Sequence, residues 1–69
     1  MADKVEKKET IKVSVTANAL NVRTGPGTDY PVATVIPNGG VHTIVDTDGN
    51  WGKLKSGAGW ICLDFLRNL

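Results

Sequence analysis

The residues able to do covalent or acid–base chemistry are few and scattered. Beyond the N-terminal stretch they are one histidine, His42, one cysteine, Cys62, and the carboxylates Asp29, Asp46, Asp48 and Asp64. A thiol nucleophile needs a base beside it. Cys62 and His42 could meet only through the fold, and Cys62 lies between Ile61 and Leu63 in a short apolar run. A structural cysteine is the simpler reading, and a lone cysteine forms no internal disulfide. Asp46 and Asp48 share a turn and could weakly hold a hard cation, but aspartates commonly serve to make such turns. Paired carboxylates for glycoside cleavage need a groove between them, and the aspartate spacing signals none. No histidine or cysteine cluster has zinc-ligand spacing. The glycine-rich stretches lack the lysine and following helix of a phosphate loop. These residues point to a chain that is not an enzyme and uses no metal or cofactor.

The side chains suited to binding are better placed. Trp51, Lys53 and Lys55 share one strand parity and Leu54 the other. If Leu54 points into a core, Trp51 faces outward. Trp60 alternates in the same way with Ile61. Both indoles could present a polar N–H to a ligand, or could close the ends of a small barrel. Tyr30 either packs a loop or forms a groove wall. Arg23 either binds a carboxylate through its planar fork or holds loop carbonyls. Asp29, Asp48 and Asn50 fall in loops that would flank Trp51, where they either meet a peptide backbone or remain solvated turn residues. Asn21 reads as structural, bonding locally to the backbone. The candidate ligand-binding set is therefore Arg23, Asp29, Tyr30, Asp48, Asn50, Trp51 and Trp60.

Short β elements must position these residues. From Ile11 onward, Lys12–Ala17 alternates polar with β-branched residues and Leu20–Arg23 alternates again; both read as strands. Leu20 and Val22 point inward, and Asn21 and Arg23 outward. Thr24–Pro31 is dense in turn formers and reads as a stiff projecting loop, with Gly25 and Gly27 expected at positive φ around Pro26. Val32–Ile36 is a short strand closed by Pro37–Gly40, and Val41–Val45 is another. Asp48-Gly49 signals a hairpin into Trp51–Lys55. Ser56–Gly59 turns the chain into Trp60–Cys62, and Leu63–Leu69 allows one helical or 3₁₀ turn.

The whole chain has 69 residues, enough for one domain. A domain this small buries only about 60% of the surface its unfolded chain exposes, which leaves no second layer for a deep cleft. The net charge of +1 is scattered and forms no basic patch for nucleic acid or an anionic membrane. No apolar run approaches the length of a membrane-spanning helix. Residues 1–10 are polar and mixed in charge, and read as a disordered linker or an appended tail; residues 11–69 form the domain. The first ten residues lack the apolar region of a signal peptide, so a secreted parent would make this chain a piece of something longer. No internal repeat is visible, and a monomer is expected.

Several motifs in order carry a family resemblance. Leu20-Asn21-Val22-Arg23-Thr24-Gly25-Pro26 is very similar to the L-N-V-R-x-G-P opening of bacterial SH3-like (SH3b) domains. Tyr30 follows where that family tends to place an aromatic residue. Gly39 stands 12 residues before Trp51, and Gly59-Trp60-Ile61 resembles the closing G-W-V. Leu66 falls near the usual last apolar position. The resemblance runs from about Val13 to Leu69. It implies an all-β SH3-like barrel of five to six short antiparallel strands with a short terminal helical turn. Two positions depart from it. His42 stands where many relatives have an aliphatic residue, which implies either a half-buried histidine with a polar partner or a bulge. Gly52 replaces a frequent tyrosine, which leaves the Trp51 edge barer.

What the resemblance implies about function is targeting. Relatives are commonly appended to secreted wall hydrolases or surface proteins, and some bind the peptide part of peptidoglycan. The expected role is a non-catalytic cell-wall binding module of a larger secreted or surface protein, located outside the cell or in the wall. Its expected partners are a bacterial cell-wall peptide and the parent's catalytic or surface domains in cis, with no nucleic acid or membrane. The site would lie among the Thr24–Pro31 loop, the Asp46–Trp51 turn and Trp60, and would hold an extended glycine- or alanine-rich peptide. The alternative is a protein-interaction or regulatory module that binds an extended or proline-rich segment of a partner or of its own parent enzyme.

Overall fold

Two long strands carry most of the structure, a computed structural model that describes residues 10–69. The stretch expected to be a linker therefore lies outside the described residues, apart from the exposed Thr10. Strand β1 (Ile11–Arg23) pairs antiparallel with β2 (Val32–Asp48), from Ile11 opposite Ile44 to Arg23 opposite Val32. β2 turns through Gly49 and Asn50 into β3 (Trp51–Leu54). Gly49 has φ 59°, the positive value that the first central residue of a type II′ hairpin turn requires. β3 pairs with β4 (Trp60–Cys62), and β4 meets β1 where Trp60 lies opposite Arg23. The circuit β1–β2–β3–β4–β1 closes a barrel. A 3₁₀ turn, Leu63–Phe65, then leads to β5 (Leu66–Asn68), which pairs with Val13–Val15 of β1. The fold class is the one expected: an all-β small barrel of five strands with one 3₁₀ turn. No helix among the described residues is long and apolar enough to cross a membrane.

The core is Val13, Val15, Leu20, Val22, Ile44, Leu54 and Ile61, with Ala17, Ile36 and Leu66 packed against it. Its pattern explains the shape of β1. Val13 and Val15 are odd-numbered, whereas Leu20 and Val22 are even. A strand keeps one parity on one face, so the inward face can change parity only if the ladder slips. The β1–β2 register does shift between Val15 and Ala19, and such an irregularity bends and twists a strand.

The strands differ from expectation in length. The two β-like segments of β1 are one bent strand, and Pro37–Gly40 continues β2 rather than closing it. Gly39 and Gly40 have φ of 85° and 72°, so the chain bends there while pairing resumes with His42 opposite Val13. Pro37 lies opposite Ala19. The Val32–Pro37 segment pairs with β1 alone, and its outer edge needs no N–H from a proline. His42 combines the two alternatives in part. It is half-buried, and a register shift lies beside it, between Val13 and Val15.

Candidate functional site

The site begins with Arg23, the last residue of β1. Its Nη1 donates to the carbonyl oxygens of Thr28 at 3.2 Å and Tyr30 at 3.0 Å. The backbone closes the same loop, with Thr24 N–H donating to the Pro31 carbonyl at 3.0 Å. Arg23 thus holds loop carbonyls, the structural one of its two roles. The expectation for the glycines is corrected. Neither Gly25 nor Gly27 has positive φ. A Cβ on Gly25 would instead overlap the Tyr30 ring, 2.5 Å from Cε1, and one on Gly27 would touch the same ring at 3.6 Å. Gly25 makes room for an aromatic ring rather than for an unusual backbone, whereas a Cβ on Gly27 would make only ordinary van der Waals contact with it. Tyr30 packs its loop in this way and keeps 46% of its surface exposed.

A groove of about 260 Å³ opens beside Arg23. Ala17, Ala19, Leu20 and Asn21 form its β1 side. Trp51, Cys62 and Phe65 face them from β3, β4 and the 3₁₀ turn, and Thr28 reaches in from the loop. Trp51 lies directly opposite Cys62 in the β3–β4 register, so their side chains share the outer face. Gly52 and Leu54, of the other parity, are buried, and Trp51 is half-buried. The groove is mainly apolar, with Arg23 as the one charged residue among those lining it.

The sequence candidates separate into groups. Arg23 and Trp51 line the groove together. Asn50 stands behind it: its side-chain amide donates to Cys62 Sγ at 3.7 Å, and its carbonyl accepts from Leu63 N–H at 2.8 Å. Trp60 is half-buried and lies opposite both Arg23 and Lys53. Those three form an outward row across β1, β4 and β3, of which Arg23 lines the groove while Trp60 and Lys53 lie beside it. Tyr30, Asp29 and Asp48 are exposed and do not line it. The groove therefore does not include the Asp46–Asp48 segment or Trp60. Its floor is the outer side of β1.

Seven contributors were not among the candidates: Phe65, Cys62, Asn21 and Thr28, together with Ala17, Ala19 and Leu20 of β1. Phe65 is 47% exposed on the 3₁₀ turn, and no spacing in the sequence signalled its place in the groove. His42 and Cys62 line different depressions, since His42 sits with Val41, Thr43, Leu54, Lys55 and Ser56. Gly52 also corrects an expectation. Its missing side chain would point inward, to 2.8 Å from Leu63 Cδ2 and 2.9 Å from Ile44 Cγ2. The glycine therefore does not strip the outer Trp51 face.

A family model described as bacterial SH3 domain matches residues 18–66. The chain is also 34% identical over 56 residues to the Bacillus subtilis (strain 168) protein named "Putative N-acetylmuramoyl-L-alanine amidase YrvJ". That match covers 78% of this chain and 11% of the relative, so the chain corresponds to a small part of that protein. No solved structure matches the chain.

Proposed function

The chain belongs to the bacterial SH3 domain family, and from that premise we propose that it is a non-catalytic module that holds a larger protein on the bacterial cell wall by binding peptidoglycan peptide. The observation that carries this reading is the groove between the outer face of β1 and the pair Trp51 and Phe65. An extended peptide laid there meets aromatic surface on one side and strand on the other. The relative's name adds support, because an amidase of that kind works on wall material and this chain corresponds to only a fraction of it. On this reading the module acts as a monomer outside the cell or in the wall, in cis with a catalytic or surface domain.

The groove volume is below the roughly 300–1,000 Å³ of a drug-sized ligand site. It takes a short segment and gives modest affinity. Attachment to a second wall-directed domain raises the effective concentration and converts weak binding into retention. The test is sedimentation of the 69-residue chain with purified peptidoglycan, together with an amide shift titration using soluble wall fragments. Co-sedimentation with shifts at Ala19, Asn21, Trp51 and Phe65 is expected. No co-sedimentation, or shifts confined to Val41–Thr43 and Leu54–Ser56, would overturn the reading.

A further inference from the structure

The groove holds a half-buried cation with no ionic partner among the described residues. Arg23 lines it, and none of Asp29, Asp46, Asp48 or Asp64 does. The two hydrogen bonds that Arg23 makes to described residues both leave from Nη1 and end on neutral carbonyls. A guanidinium has five N–H donors. Nη1 carries two of them, so the Nε and Nη2 hydrogens remain without a partner among the described residues. Nε–H and the Nη2–H parallel to it form the planar edge that grips a carboxylate in a two-point geometry.

The loop contacts also lower the cost of using that edge. A free arginine side chain must be ordered before it can grip an anion. Here Thr28 and Tyr30 already hold one end of the guanidinium, and the strand carries the other end of the side chain. The surroundings strengthen the attraction, because the walls contributed by Ala17, Ala19, Leu20, Trp51 and Phe65 are apolar and reduce competition from water.

We propose that Arg23 is the specificity-determining residue of the groove, and that it selects short peptides bearing a free carboxylate whose apolar part lies against Trp51 and Phe65. This rests on the peptide-binding reading and names its ligand class. The loop-holding and carboxylate-binding roles of Arg23 then operate together, one on each edge of the guanidinium. The carboxylate could come from a peptide C-terminus or from an acidic side chain.

The test keeps the protein unchanged and alters the ligand. The probes are N-acetyl-Ala-Ala-Ala as the free acid, the same peptide as its C-terminal amide, and N-acetyl-Ala-Glu-Ala amide. Each is titrated while the Trp51 indole N–H and the Arg23 Nε–H signals are followed. The free acid is expected to bind about tenfold or more tightly than its amide, moving both signals. Binding by the glutamyl amide as well assigns the role to any carboxylate; binding by the free acid alone assigns it to a C-terminus. Arg23→Lys keeps the charge but not the fork, and is expected to lose most of the acid-over-amide preference; its folding is checked from the dispersion of core methyl signals. Equal binding of acid and amide overturns the proposal, as does the absence of binding by all three. Co-sedimentation with purified wall in either of those cases would leave the wall-binding reading standing and remove only the role of Arg23.

Discussion

The Tyr30 ring occupies the space that a side chain on Gly25 would need. A Cβ at that position would fall 2.5 Å from Tyr30 Cε1 and 2.6 Å from Cγ. The loop that projects from the barrel is therefore keyed by one aromatic ring on a bare stretch of backbone. Gly25→Ala is expected to destabilise the domain by about 1–3 kcal/mol, the range for overpacking a close contact. Urea denaturation measures this. The cause is separable from any general effect of alanine, because Tyr30→Ala vacates the space. In that background the cost of Gly25→Ala should largely disappear, a non-additivity expected of residues in contact. An equal cost in both backgrounds would show that the ring is not what excludes a side chain there.

The core gives a second prediction. Ile61 is fully buried and lies opposite Gly52, in the strand that closes the barrel. Ile61→Ala should cost about 2–5 kcal/mol. A domain of this size has roughly 3–9 kcal/mol in total, at about 0.05–0.15 kcal/mol per residue. The variant is therefore expected to be largely unfolded near 37 °C, as read from thermal melting. Lys53→Ala, one strand away and exposed, should melt within a few degrees of the parent.

The fold was largely legible in the sequence because its determinants are local. The alternation of Leu20 with Val22, the Asp48-Gly49 hairpin signal and the ordered glycine and tryptophan motifs each fix a piece of the barrel. What could not be read was continuity. Pro37–Gly40 has the composition of a turn, and only its pairing with β1 makes it a bent strand. The site was half legible for a related reason. Parity placed Trp51 outward, but the neighbours of an outward residue depend on which strands adjoin it. Phe65 and Asn21 reach the groove through closure of the barrel and the path of the 3₁₀ turn, and no spacing in the sequence encodes that. Asp29, Asp48 and Trp60 were grouped with Trp51 by nearness in sequence or by residue type, and the groove does not include them.

Gly52 yields a third prediction. A Cβ there would stand 2.8 Å from Leu63 Cδ2 and 2.9 Å from Ile44 Cγ2, on the inner side of β3, so Gly52 is a packing residue. Gly52→Ala is expected to cost about 1–3 kcal/mol through overpacking while leaving wall binding per folded molecule unchanged. Denaturation and co-sedimentation measured on the same samples separate the two effects. A substantial gain in wall binding by Gly52→Ala would indicate that the position contributes to the outer surface after all.

The two tryptophans give the last prediction, because the proposed function treats them differently. Trp51 lines the groove with Phe65, whereas Trp60 lies in the adjoining row between Arg23 and Lys53. Aromatic residues at the centre of a binding surface commonly account for a large part of its free energy. Trp51→Ala and Phe65→Ala should each weaken binding to wall fragments by about 1–2 kcal/mol, a factor of about 5–30. Trp60→Ala should weaken it by less than about threefold among the molecules that remain folded. Fragment titrations on the three variants, each corrected for its folded fraction, make the comparison. If Trp60→Ala proved the most damaging, the ligand would be following the Arg23–Trp60–Lys53 row, and the groove beside Trp51 would not be its seat. If Trp51→Ala and Phe65→Ala each cost the predicted factor and Trp60→Ala did not, the peptide would be located between the outer face of β1 and the 3₁₀ turn.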